Sequence, residues 1–498
     1  MQRTQPALDD MNTKKVVTRF APSPSGYMHI GNLRTALHSY LLAKSHGGVF
    51  ILRIEDTDRN RLVENAVQII LDTLALAGLK YDEGPGIGGP HGPYVQSERK
   101  DIYLEYAQRL ISAGHAYRCF CKSPSAEEAG EATGSYGYNR RCRDLSPEDI
   151  REKLQSGLPH VIRQKAPLDG ETTFEDLVFG TITKANADLQ DIVLIKSDGY
   201  PTYNFAHVVD DHLMGVTHVV RGSEYLSSTP QFVNIYDAFG WERPQYVHLP
   251  LIMGKGEDGT ISKLSKRHGA VSFQDLIKDG FLPESIINYI ALLGWSPKDT
   301  SEEFFTLDEL VQRFRVSGIN KSASIFDYEK LLWYNGMYIR KLTPERFEEL
   351  ARPYVRQVVS RDIDVAKLLK LLQPRIEKFS QIPSQISFFE ELPDFDCGLF
   401  TNKAHKATID SARHILPAAL DRLRAVEPWN NDTLFAELKA LAASLGLKAG
   451  AVMWAVRIAV SGTSVTPGGA TEILEILGRQ ESLRRLTLSL EKLSACTG

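Results

Sequence analysis

With 498 residues, 43% of them hydrophobic and 24% charged, the chain is too long for one hydrophobic core and is expected to hold three or more domains. No uninterrupted apolar run approaches the ~20 residues that cross a bilayer, which excludes a membrane-spanning helix. Net charge is −4, and its weak asymmetry, 22 Lys and Arg against 19 Asp and Glu from Leu331 onward and 36 against 43 before it, neither marks nor excludes a nucleic-acid binder.

Met1–Lys15 carries Asp9 and Asp10 and lacks an apolar block, so it reads as a short leader rather than a secretory or transit signal, and a cytoplasmic location is expected. Val16–Phe20 is β-prone, Pro22–Gly26 has turn chemistry, and Leu33–Lys44 places apolar residues at helical spacing up to Gly47-Gly48. Val49–Ile54 predicts a second strand, and Arg61–Ala77 a second helix closed by Gly78. This order predicts an α/β fold with a Rossmann-like, doubly wound parallel sheet. Residues 101–190 break the rhythm, with a Gly/Ser/Glu-rich stretch at Ser123–Gly137, and read as an inserted domain. After a strand-like piece at Asp191–Ser197, the pattern resumes with a strand at Val216–Arg221 and a helix at Thr229–Phe239. Beyond Tyr328 helical periodicity dominates, as in Val365–Leu372 and Leu434–Leu445, and no internal repeat is present. The expected domains are 1–100 with 191–255, the insert 101–190, a region 256–330, and a mostly α-helical region 331–498.

Two segments carry chemistry. In Pro22-Ser23-Pro24-Ser25-Gly26-Tyr27-Met28-His29-Ile30-Gly31-Asn32, a strand turns into a helix. The helix N-terminus is a natural anion site, Gly31 permits close backbone approach, and an imidazole and an amide there can donate to a triphosphate. A glycine-containing turn with a histidine is, taken alone, more often plain structure. In Ser262-Lys263-Leu264-Ser265-Lys266-Arg267, after the glycine-rich Met253–Gly259, two lysines three apart suit a mobile phosphate clamp. Its bland counterpart is a solvated basic loop.

The five cysteines are Cys119, Cys121, Cys142, Cys397 and Cys496. Their odd number argues against a disulfide framework.

Together the two segments resemble the paired signature motifs of class I aminoacyl-tRNA synthetases, and the fuller resemblance is to the glutamyl-tRNA synthetase family of bacterial type. Arg19-Phe20-Ala21-Pro22-Ser23-Pro24, His29-Ile30-Gly31-Asn32, Arg53-Ile54-Glu55-Asp56-Thr57-Asp58, Pro201–Phe205, Val208–His212, Val219–Gly222, Lys263–Gly269 and Asn288–Ser296 follow in the family's order.

The resemblance implies ATP with Mg2+ at His29, Gly31, Asn32 and Glu224, with Lys263 and Lys266 closing over the phosphates and His29, Lys263 and Lys266 as the catalytic set. It implies L-glutamate held by Arg19, Ser23, Glu55, Tyr203 and Arg221, with Glu55 able to take the ammonium group. Arginine suits carboxylate because its planar fork binds bidentately. His207, which stands where some members carry Asn, is also among the glutamate-binding positions the resemblance implies. Cys119-Phe120-Cys121 with Tyr138 and Cys142 is similar to a zinc site of some bacterial members, against reduced, unligated thiols. The partner implied is tRNA(Glu), read in part by the C-terminal region. There Arg375 is a candidate contact against the alternative of a solvated helix face. A monomer with no membrane association is expected. Expected activity is ATP-dependent glutamyl-adenylate formation and transfer to the 3'-terminal adenosine, with charging of tRNA(Gln) as well, or a catalytically silent RNA-binding paralogue, as alternatives.

Overall fold

A computed structural model describes residues 15–58, 63–121, 138–256, 258–264 and 272–496. The expected leader up to residue 14, the first residues of the helix expected from Arg61, all of Ser123–Gly137, and Ser265, Lys266 and Arg267 lie outside the described residues. The chain forms two compact units, Met1–Leu276 with Ile286–Asp327, and Ile277–Ser285 with Tyr328–Gly498.

The first unit opens with β1 (Val17–Phe20), α1 (Ile30–Ser45) and β2 (Val49–Leu52). β1 and β2 pair in parallel, Thr18 opposite Phe50 and Phe20 opposite Leu52, the arrangement a crossover helix requires. Ile30, Leu33, Leu37 and Leu41 recur at helical spacing along α1 and are fully buried. Its start lies three residues before the expected Leu33 because the His29 side chain caps it, accepting from the Gly31 amide at 3.0 Å. Arg34, one turn in, is buried and donates to the backbone carbonyls of Pro250 and Leu293. Burial lowers its pKa to about 10. The next helix, α2 (Ala66–Leu76), begins five residues later than the expected Arg61. Its N-cap Asn65 sits in the left-handed region at φ 62°, which no α-helix continues through.

After α3 (Lys100–Ser112), the strands β3 (Ala116–Cys119), β4 (Val161–Gln164) and β7 (Val193–Ile195) form an antiparallel sheet in the order β3-β4-β7. Between β4 and β7 lies a hairpin, β5 (Glu171–Asp176) and β6 (Gly180–Ala185). This hairpin joins a different sheet. With β8 (His218–Gly222) and β9 (Gln245–Leu249) it makes the order β6-β5-β9-β8, where β9 runs parallel to β8 and meets β5 at Asp176 opposite Tyr246. Thr217, just before β8, exchanges hydrogen bonds with Val17 and ties this sheet to β1. The helices α4 (Pro147–Gln155), α5 (Tyr203–Leu213) and α6 (Thr229–Phe239) complete this half, and α6 matches the expected bounds. A last small sheet sets β10 (Ile252–Lys255) between β11 (Ile261–Lys263), antiparallel, and β12 (Ser324–Phe326), parallel.

The second unit is a helical array with its own core. Val365–Leu372 is helical as expected, and Asn431–Ser444 starts three residues before the expected Leu434 because Asn430 accepts from the Thr433 amide at 3.0 Å. Leu416, Leu423, Leu434, Leu438, Val452, Val456, Ile473 and Leu486 are fully buried within one cluster. Each such side chain contributes about 1.5–3 kcal/mol on leaving water. Arg485 is also fully buried, compensated by Glu481 and by the carbonyls of Phe388, Phe389 and Val460. The expectation against a disulfide, drawn from the odd cysteine count, is corrected here, since Cys397 and Cys496 form a disulfide across 99 residues of sequence. The odd count reflects the other three cysteines, which carry no disulfide.

Candidate active site

The C-terminal ends of β1 and β8 open onto a cleft of about 820 Å³, the position where doubly wound sheets bind ligands. β1 supplies Arg19, the following turn Ser23, α1 Asn32, the residue run after β2 Glu55, α5 Tyr203, and the end of β8 Arg221 with Glu224 just beyond. Seven of the expected residues therefore line one cavity, although they span 206 positions of sequence from Arg19 to Glu224.

The floor of the cleft rests on an internal charge network. Arg19 Nε lies 3.0 Å from Asp211 Oδ1, Arg53 Nη1 is 2.7 Å from the same oxygen, and Arg53 Nη2 is 3.0 Å from Glu55 Oε1. Asp210 takes Arg99 Nε at 2.7 Å, Gln96 Nε2 at 2.8 Å and the Tyr103 hydroxyl at 2.8 Å. Three arginines thus face three carboxylates, with side chains 0–5% exposed. Unpaired, any of these charges would be costly to bury. Burial raises the Asp211 carboxyl, but Arg19 and Arg53 outweigh it and hold its pKa at about 2. Burial would lower the Arg19 guanidinium, and Asp211 reverses that. For Glu55, burial prevails over Arg53 and Arg19 and raises its pKa.

Arg221 is 4% exposed and lines the cleft. Its Nε donates to His248 Nε2 at 3.1 Å and its Nη2 to Thr229 Oγ1 at 2.6 Å. Nη1 is buried and has no hydrogen-bond partner. The faces of Phe232 and Tyr225 lie 5.0 and 5.2 Å from the guanidinium carbon and fix its plane. A guanidinium held this way at the wall of a cleft is built to receive an anion.

His207 does not line the cavity. It lies beneath Tyr203, stacked at 4.7 Å, with Nδ1 at 2.7 Å from the Tyr203 carbonyl. Burial lowers its pKa to about 3, so the ring is neutral and supports Tyr203 from below.

At the other end stand His29 and Lys263. Nδ1 of His29 accepts the Gly31 amide, so in the neutral ring the proton is on Nε2. Neutrality is favoured because burial, and then the charge of Lys263, lower the pKa. Gly31 serves this cap directly, because a Cβ there would stand 3.3 Å from His29 Nδ1. Lys263, at the end of β11, is exposed, and the Leu264 backbone lies against the His29 ring. The two distant chemical segments therefore meet. Lys266 lies outside the described residues.

Outside the lining of the cleft, the Sγ atoms of Cys119, Cys121 and Cys142 lie within 4.8 Å of one another. The Tyr138 hydroxyl is 3.2 Å from Cys119 Sγ and 4.0 Å from Cys121 Sγ. Burial pushes the Cys121 thiol up to about 11. Three sulfurs and an oxygen converging on one point fit a tetrahedral zinc set. In the second unit Arg375 is exposed and donates to the Leu371 carbonyl at 2.8 Å, closing the helix before it.

Several residues of this site were not singled out from sequence, among them Arg53, Asp211, His248 and Asp176. For Asp211 a signal existed, since Tyr203, His207 and Asp211 are spaced four apart and share one face of α5. His248 and Asp176 had none, being joined only by the sheet.

Comparison with known proteins agrees with this geometry. Residues 15–333 match the family described as tRNA synthetases class I (E and Q), catalytic domain, and residues 346–490 match an anticodon binding domain. Over 487 residues the chain is 53% identical to a glutamate–tRNA ligase of Clostridium tetani, covering 97% of this chain and 99% of that one. It is 52% identical over 487 residues to that of Clostridium novyi, with the same coverage. A crystal structure of a glutamate tRNA ligase from Elizabethkingia meningosepticum in complex with its amino acid superposes with a TM-score of 0.85 at 33% identity, covering 96% of this chain and all of that one. With its Rossmann-like catalytic unit and helical C-terminal region, the chain belongs to the glutamate–tRNA ligase family of class I aminoacyl-tRNA synthetases.

Proposed function

We propose that the chain joins L-glutamate to tRNA(Glu) through a glutamyl-adenylate, with the cleft above Arg19 and Arg221 as the reaction site. The observation that carries the reading is Arg221, buried at the wall of that cleft with its Nη1 without a hydrogen-bond partner among the described residues. A carboxylate side chain satisfies it and an amide does so less well, which favours glutamate over glutamine.

The α-carboxylate of glutamate is already ionised at neutral pH, so adenylate formation needs no general base. The chain's work is to align that carboxylate with the α-phosphate of ATP and to spread the charge that builds on the phosphates. Glu55 takes the ammonium group, Tyr203 and Ser23 border the amino acid, and Arg19, anchored by Asp211, adds a fixed positive charge. ATP enters with Mg2+ at the N-terminus of α1, beside Gly31, Asn32 and Glu224. Neutral His29 donates its Nε2 proton to a phosphate oxygen, and Lys263 neutralises charge from the β10–β11 hairpin, with Lys266 as its second lysine. Transfer of the glutamyl group to the terminal adenosine of the tRNA completes the reaction, and the 331–498 region reads the anticodon.

Zinc, where bound, is held by Cys119, Cys121, Tyr138 and Cys142 and supplies rigidity to the β3–β4 region rather than chemistry. Among the described residues no helix is long and apolar enough to cross a membrane. A cytoplasmic monomer is the accompanying proposal. The test is aminoacylation with radiolabelled glutamate and purified tRNA(Glu) and tRNA(Gln) in separate reactions. Charging of tRNA(Glu) alone is expected, charging of both identifies the relaxed specificity, and charging of neither refutes the reading.

A further inference from the structure

Arg221 is one residue in a longer chain of donors, and the far end of that chain has fixed polarity. The Asp176 carboxylate, on β5, accepts the amides of Val178 and Phe179 at Oδ1, 2.9 and 2.8 Å away. Its Oδ2 accepts the His248 amide at 3.1 Å and lies 2.7 Å from His248 Nδ1. All of Asp176, His248 and Arg221 are 0–4% exposed. A guanidinium only donates, so His248 Nε2, 3.1 Å from Arg221 Nε, must be the acceptor. The imidazole proton is therefore on Nδ1, where Asp176 receives it. With Nε donating to His248 and Nη2 to Thr229, Nη1 is the guanidinium nitrogen left without a partner among the described residues.

The geometry points to Asp176 and His248 as a positioning pair that sets the specificity for the substrate's side-chain carboxylate by fixing the plane and position of the Arg221 guanidinium at the cleft wall. This rests on Arg221 as the carboxylate receptor. Neither residue touches the cleft itself, and they act through the guanidinium. The hairpin from between β4 and β7 that pairs with β9 brings the carboxylate that orients His248.

Substitutions at two positions separate this role from mere packing. Asp176→Asn keeps the shape. With its amide oxygen still receiving the Val178 and Phe179 amides, its NH2 faces His248 Nδ1, which moves the ring proton to Nε2 and sets two donors against each other at Arg221. His248→Asn keeps a donor for Asp176 and removes the acceptor for Arg221, whereas His248→Gln returns an acceptor near the Nε2 position. KM for glutamate and KM for ATP are measured for each by aminoacylation with tRNA(Glu) present, together with Arg221→Ala.

Asp176→Asn and His248→Asn are expected to raise KM for glutamate about tenfold or more while KM for ATP moves less than about twofold, with His248→Gln recovering part of the loss. An unchanged KM for glutamate in both, or equal rises for both substrates, overturns the proposal. If Asp176→Asn fails to fold, the His248→Asn and His248→Gln pair decides by the same split. Should Arg221→Ala alone leave KM for glutamate unchanged, the carboxylate assignment falls, and this inference with it. A large effect of Arg221→Ala beside silent Asp176 and His248 variants removes the positioning pair only.

Discussion

Replacing Asp211 with Asn removes one charge from the centre of the buried network and leaves its shape intact. Asp211 is fully enclosed, with Arg19 and Arg53 3.0 and 2.7 Å away. Its carboxyl is held at about 2, against about 4 for an ordinary aspartate, and at about 1.4 kcal/mol per pH unit the difference is roughly 2–3 kcal/mol. Removing one partner of a buried ion pair costs about 3–5 kcal/mol, because the remaining charge stays buried. Here two arginines lose their shared partner, so about 3 kcal/mol is the lower expectation. For a unit of this size that corresponds to a fall in Tm on the order of 4–5 °C. Calorimetry measures it, and the transition of the catalytic unit is the one that ATP and glutamate raise in the parent protein. The sign with pH follows from the depressed pKa. The contribution is present in full above about pH 4 and is lost as pH falls toward about 2, so parent and variant converge in acid. A displacement below about 2 °C at pH 7 in a folded variant, or a gap that widens in acid, refutes the reasoning.

Glu55→Gln is expected to raise KM for glutamate by about tenfold or more with KM for ATP little changed, because it removes the anion proposed for the ammonium group; equal effects on both substrates count against that role. Lys263→Ala and Lys266→Ala are each expected to slow single-turnover adenylate formation, with cognate tRNA present, by roughly tenfold or more, and an unchanged rate removes the phosphate role from that lysine. Metal analysis of the purified protein is expected to find about one zinc per chain, lost in Cys142→Ser; a parent protein with none refutes the four-ligand assignment. Thiol titration under denaturing, non-reducing conditions and after metal removal is expected to count three thiols and not five, since Cys397 and Cys496 are bonded.

Much of the frame was legible because local signals agree with the tertiary structure. Thr229–Phe239 and Val365–Leu372 carry a helical apolar stripe, and their bounds match. Cap chemistry explains where the expectation was short, as with His29 before α1 and Asn430 before Asn431–Ser444. The candidate site was legible as a set of types in an order, which is how Arg19, Glu55, Tyr203 and Arg221 came to be named together. What sequence does not carry is compensation between distant charges. An aspartate in a helix reads as solvated, and only the meeting of β1, β2 and α5 makes Asp211 the shared partner of Arg19 and Arg53. The same holds for Asp176 and His248, 72 positions apart. Likewise His207, expected among the amino-acid contacts, shares a face with Tyr203 yet lies one layer below it. Periodicity gives the face and not the depth.

Arg34 gives the nucleotide end a mechanical property. Its guanidinium binds the carbonyl of Pro250, two residues before β10, while its own helix carries His29 and Asn32 at the tip. The cap that would meet the phosphates and the hairpin that carries Lys263 are thus bolted to one bracket.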